Sequence, residues 1–94
     1  MSLAIVWTDD AQETFDYIVN FIEYKWGQAS AEKFVKTAHK SINAISAQPY
    51  LYIASISSNV RKAVITKQTS MFYEVHDTHV TVLFFWDNRQ EPIL

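Results

Sequence analysis

Cysteine is absent from these 94 residues, glycine occurs once and proline twice. Without cysteine the chain can hold neither a disulfide framework nor a thiolate metal site, which suits a reducing compartment. The single glycine, Gly27, excludes a phosphate-cradling glycine loop, and no nucleophile motif is visible. A dominant charge is lacking too: 8 Lys and Arg stand against 10 Asp and Glu, a net charge of -2. Nothing therefore draws the whole surface to nucleic acid or to an anionic membrane, and any basic site has to be local. No apolar run is long enough to span a bilayer, no secretory leader is visible, and there is no repeat or low-complexity segment. What is plentiful is apolar and aromatic surface, 49% and 15% of the residues, enough for one compact domain with a modest core.

Leu3 to Trp7 is a short β-prone run, and Thr8-Asp9-Asp10 after it is a helix start. Thr8 can cap the first free amides, and the two aspartates sit at the positive end of the helix dipole. Ala11, Phe15, Ile18, Val19, Ile22 and Trp26 then recur at spacings of three and four, giving one apolar face. Tyr17, Phe21 and Tyr24 form a second stripe that widens it. Gly27 stands where a helix stop needs an unhindered left-handed residue. A second helix is expected from Gln28 or Ser30 to Ser46, with Phe34, Ala38, Ile42 and Ile45 inward and Lys33, Lys36 and Lys40 mostly outward. The two would form an antiparallel hairpin. Gln48-Pro49 ends the second helix, and Tyr50 to Asn59 has no clear period and reads as a connection.

Val60 to Thr66 is again β-prone, and Lys67-Gln68 is a turn. From Ser70 to Trp86, two runs rich in Val, Phe, Tyr and Trp flank Asp77-Thr78, a hairpin signal. An uninterrupted register across that loop pairs His76 with His79, Glu74 with Thr81, Phe72 with Leu83 and Ser70 with Phe85. Met71, Tyr73, Val75, Val80, Val82, Phe84 and Trp86 then share the core face. The expected fold is α+β: an N-terminal strand, an antiparallel helical hairpin and a three-stranded antiparallel meander, stacked as a two-layer sandwich. The second sheet face would carry Phe72, Leu83 and Phe85. Either a partner meets that row, or the connection or the C-terminal tail covers it.

The same register, with Lys67 and Gln68 as the loop, sets Arg61 across from Glu74. The pair reads either as a surface ion pair of small energetic value or as an anion site with Glu74 as a base. His76 and His79 flank a turn at a spacing a metal could use. No third ligand clearly converges on them, so they read as solvated histidines, and no metal or cofactor is expected. His39, in a helix among lysines, reads as a surface residue. Asp87-Asn88-Arg89-Gln90-Glu91-Pro92 is a polar exit from the last strand, where Arg89 and Gln90 can hold a phosphate or a carboxylate.

The Val60-Arg61-Lys62-Ala63-Val64-Ile65 strand, the Phe72-Tyr73-Glu74-Val75 hairpin arm and the Asp87-to-Pro92 exit resemble the RelE/ParE toxin superfamily, particularly its plasmid-stabilisation branch. Trp7-Thr8-Asp9-Asp10-Ala11 and Tyr24-Lys25-Trp26-Gly27 look like that branch as well, so the resemblance covers nearly the whole chain as one domain, residues 1–94. It implies a cytoplasmic toxin of a type II toxin-antitoxin pair, a cognate antitoxin that wraps it with a helix or an extended segment, and growth arrest. The arrest would come either from poisoning DNA gyrase or from cutting messenger RNA on the ribosome. Members that cut RNA carry basic residues on the concave sheet face, an Arg early in the penultimate strand and a terminal Tyr or His. This sequence has Ser70 at the former position and neither residue from Asp87 to Leu94. Three readings therefore stay open: a toxin acting on gyrase or another target, an RNA-cleaving enzyme using Arg61, Glu74 and Arg89, and a degenerate member that only binds its partner. The partner contacts expected are Phe72, Leu83, Phe85 and Gln90. Association of two copies is left open.

Overall fold

The computed structural model describes residues 2–52 and 59–90. The elements are β1 Ala4–Trp7, α1 Asp9–Trp26, α2 Gln28–Ala47, β2 Val60–Thr66, β3 Thr69–Val75 and β4 His79–Asp87. The sheet runs β1-β4-β3-β2, with the meander antiparallel as expected. β1 lies parallel to β4, so the first and last strands are neighbours and the sheet is mixed. Two parts of the sequence reading, the 53–58 portion of the connection and Glu91-Pro92 of the exit, lie outside the described residues.

Local chemistry sets the helix boundaries. Thr8 accepts a hydrogen bond from the Ala11 amide at 3.0 Å and donates one to the Leu83 carbonyl at 2.6 Å, so one hydroxyl caps α1 and fastens it to β4. Gly27 joins the two helices at φ 96° and ψ 172°, a region that only glycine occupies without strain. A Cβ there would meet nothing within 4 Å, so backbone conformation alone demands the glycine. The far end of α2 is tied to the approach to β1: the Leu3 amide donates to the Ser46 carbonyl, and the Ser46 hydroxyl to the Leu3 carbonyl.

One face of the sheet packs on the helical hairpin. Ala11, Phe15 and Ile18 of α1 and Phe34, Ala38, Ile42 and Ile45 of α2 meet Ala63, Ile65, Met71, Tyr73, Val80, Val82 and Phe85. Phe85 is central, with ring centroids 5.1 Å from Phe15 and 5.4 Å from Trp7. Burying a side chain of this kind contributes about 1.5–3 kcal/mol.

Two β-bulges correct the sequence-derived register. The Lys67-Gln68 turn is as expected, with Thr66 opposite Thr69, but the pairing then slips by one and Arg61 falls opposite Tyr73. Glu74 is paired with Val60 instead, so Arg61 and Glu74 face opposite sides of the sheet. In the second hairpin Glu74 pairs with Thr81 as expected, yet Tyr73 pairs with Val82 and Phe72 with Phe84, leaving Leu83 as the extra residue. Beyond Leu83 every β4 side chain changes face. Phe85 enters the core in place of Phe84 and Trp86, and Phe84 stacks on Phe72 across the sheet at 4.7 Å.

The bulge coincides with a change of neighbour. β1 pairs with β4 only as far as Trp7 opposite Val82. Past that point α1 takes over the edge: the Thr8 hydroxyl bonds Leu83, and the Thr14 hydroxyl accepts the Phe85 amide at 2.9 Å. Side chains thus satisfy backbone groups that would otherwise form an open strand edge.

Candidate functional site

The structure does not bring Arg61, Glu74 and Arg89 together. Arg61 lies on the helix side of β2, where its guanidinium donates to the Tyr52 carbonyl and sits over the Tyr50 ring at 4.8 Å. It fastens the start of the connection to the sheet. Glu74 lies on the other face, with its carboxylate 3.6 Å from the His76 ring. Arg89 is at the opposite end of the strands, next to the β2–β3 turn, where the Asn88 amide donates to the Gln68 carbonyl at 2.7 Å.

The expected row of Phe72, Leu83 and Phe85 is not an open surface. Phe72 is 1% exposed, Phe85 belongs to the core on the other side, and half-buried Leu83 occupies the bulge. Gln90 alone of the four is exposed. Ser70 is buried and donates to the Asn88 side chain at 2.9 Å. His76 and His79 stack at 4.6 Å where they flank the turn of the second hairpin, and His39 is exposed at the helix surface. Among the described residues no group of three or more His, Asp or Glu could hold a metal ion.

A run of concave surface lies between α1 and the sheet. A hollow of about 190 Å³ lies between Glu13, Tyr17, Phe85 and Gln90. Tyr17 and Ile18 also wall a narrow one beside Arg89. That one shares Ile22, Trp26, Thr66 and Gln68 with a third, of about 430 Å³, which reaches Lys33 and Phe34. Together they form a groove between α1 and the end of the sheet where Asp87 leaves β4. Two of its aromatic side chains are unusually bare: Tyr17 is 64% exposed and Trp26 55%. Such an apolar patch on a small domain makes the groove a candidate interaction surface.

Arg89 sits at mid-groove with its guanidinium 4.9 Å from the Phe21 ring centroid. It also makes a forked contact with Asp87, Nε to Oδ1 at 3.0 Å and Nη2 to Oδ2 at 2.7 Å. Hydrogen bonding from Arg89 holds the Asp87 carboxyl below its ordinary pKa, against a smaller opposing effect of burial. Arg89 is therefore internally neutralised, and the middle of the groove carries no net charge.

The family model for the ParE toxin of the type II toxin-antitoxin system parDE matches residues 5–92. The chain belongs to the ParE toxin family. No curated protein matches it in sequence. Among solved structures it is similar to a chain of the chromosomal ParDE toxin-antitoxin system from P. aeruginosa, with a TM-score of 0.78 at 18% identity, covering 92% of this chain and 96% of that one. It is also similar to the YoeB dimer from Staphylococcus aureus, with a TM-score of 0.65, 18% identity and coverage of 89% and 94%. The conserved hypothetical protein HP0894 from Helicobacter pylori superimposes at 0.63 with 16% identity, covering 94% and 97%. At these identities the structural likenesses establish the fold. Among the described residues no helix is long and apolar enough to cross a membrane.

Sequence reasoning placed Tyr17, Phe21, Tyr24 and Trp26 on a widened core face and so missed the groove. A signal was present. At roughly 100° per residue, the Tyr17-Phe21-Tyr24 stripe is centred about 125° around the helix from the Phe15-Ile18-Ile22 stripe. A helix lying on one sheet cannot bury both.

Proposed function

We propose that this protein is the toxin of a type II toxin-antitoxin pair, a single-domain cytoplasmic protein kept silent by its cognate antitoxin and arresting growth through DNA gyrase. The match to the ParE toxin model over residues 5–92 carries the toxin reading. Two observations support a target other than messenger RNA. Arg61, Glu74 and Arg89 do not share a site, and Arg61 and Arg89 are each engaged within the chain. The net charge of -2 also supplies little of the phosphate attraction on which binding to a nucleic acid backbone depends.

The test pairs growth with biochemistry. Induced expression of the chain in bacteria should stop division, and co-expression of the protein encoded by the adjacent reading frame should restore it. Extracts of arrested cells should show intact messages, and the purified chain should inhibit gyrase supercoiling in vitro. Normal growth on induction would overturn the toxin reading. Cut messages with unimpaired supercoiling would replace gyrase with the ribosome.

A further inference from the structure

The net charge of -2 conceals an uneven distribution. Residues 28–68 hold six basic side chains against the single acid Glu32, whereas the rest of the chain holds Lys25 and Arg89 against nine acids. The fold keeps the two signs on different helices: α1 exposes Asp9, Asp10, Glu13, Asp16 and Glu23, and α2 exposes Lys33, Lys36 and Lys40. At about 100° per residue the three lysines fall within a sector of about 60°, on the side of α2 away from Phe34, Ala38 and Ile45 of the core. The ion pairs among the described residues are Glu74 with His76 and Asp87 with Arg89, and neither includes a lysine. Glu32 accepts from the Gln28 side chain at 3.3 Å instead.

The chemistry of this stripe selects its ligand. A protein interface is anchored by aromatic and aliphatic side chains and is depleted in lysine. The exposed residues of α2 include no Phe, Tyr, Trp, Leu, Ile, Val or Met. Single-stranded nucleic acid is held by successive bases stacked on aromatic rings. One exposed ring, Trp26 of α1, shares a hollow with Lys33 at one end of the stripe, and one ring is no platform for successive bases. Lysines by themselves suit phosphates, which they meet as point charges. From Lys33 to Lys40 the helix rises about 10 Å, over which one strand of a DNA duplex presents about three phosphates. We propose that the stripe of Lys33, Lys36 and Lys40 binds the phosphate backbone of duplex DNA without reading its sequence. This rests on the gyrase reading, since gyrase works on duplex DNA, and adds to it a contact between the toxin and the DNA that the enzyme holds. Because the molecule as a whole is negative, no long-range attraction assists the contact, so it is weak alone and acts on DNA already brought close.

The test titrates a short fluorescent DNA duplex with the purified chain at several salt concentrations and follows its anisotropy. Binding at low salt should weaken with a slope of about -3 in log affinity against log salt, the release of counterions from about three phosphates. Lys36→Gln with Lys40→Gln should bring the slope to about -1. Lys25→Gln with Lys62→Gln removes the same charge from α1 and from the sheet face that carries Phe72, and should leave the slope near about -3. Circular dichroism would confirm that every variant is folded. In supercoiling assays the pair on α2 should raise the concentration needed for half-inhibition of gyrase several-fold, and the other pair should not.

No binding of the duplex by the unmodified chain at low salt would overturn the proposal. So would an equal loss in both pairs, which would mean that net charge acts and the stripe does not. Tighter binding of an RNA duplex or a single strand of the same length would overturn duplex DNA as the ligand. Duplex binding with the expected slopes beside uninhibited gyrase would support the stripe and overturn the gyrase reading instead.

Discussion

Arg61 and Tyr73 show how one residue can trade an apparent chemical role for a structural one. Both lie on the helix side of the sheet, and each holds part of the chain that follows α2: Arg61 bonds Tyr52, and the Tyr73 hydroxyl donates to the Pro49 carbonyl at 3.2 Å. Burial pushes the Tyr73 phenol above its ordinary pKa, and the Arg61 charge opposes this only in part. A raised folded pKa keeps its stabilising contribution below the unfolded value, about pH 10 for tyrosine, and loses it as pH climbs from there through the folded value. Tyr73→Phe should therefore cost about 0.5–1.5 kcal/mol at neutral pH through the lost hydrogen bond. The gap to wild type should narrow above about pH 10. Urea unfolding of both proteins from pH 7 to 11 measures this, and two curves that stay parallel throughout would show that the phenol does not titrate with folding.

At the scale of elements, the bulges at Ile65 and Leu83 decide which residues form the core and which could form a site. Phe85→Ala should cost about 3–5 kcal/mol, as expected for a large aromatic removed from a packed interior. Phe84→Ala, at a half-buried position on the far face, should cost clearly less. Denaturant unfolding of the two variants decides between the observed register and an unbroken one, which would reverse their order. Periodicity, capping residues and turn chemistry made the two helices, Gly27 and both hairpin turns legible in the sequence. The bulges were not legible because Ile65 and Leu83 are ordinary sheet residues with no glycine or proline beside them to mark a slip. Tertiary demands account for the slip at Leu83: β1 ends at Trp7, and hydroxyls from α1 must complete the exposed edge of β4. That error moved Phe85 onto a surface that does not exist. The slip at Ile65 set Arg61 against Glu74. Gln90 is exposed as expected because its position follows from chain exit rather than from strand parity.

For the molecule as a whole, the helix layer covers the sheet on one side and presents its own aromatic stripe on the flank. The sheet end, with Arg89 locked to Asp87, closes the other wall. The surface expected to meet a partner is then the α1 groove rather than the outer face of the sheet, where Phe72 and Phe84 are already stacked against each other. Both surfaces can be compared in one experiment. Amide hydrogen exchange of the chain would be followed alone and in complex with the purified protein from the adjacent reading frame. The expected result is added protection over Glu13–Trp26 and at Thr66–Thr69, with β2 from Val60 to Val64 unchanged. Protection confined to β2 and the Phe84 region, with α1 exchanging as in the free protein, would contradict the groove as the binding surface.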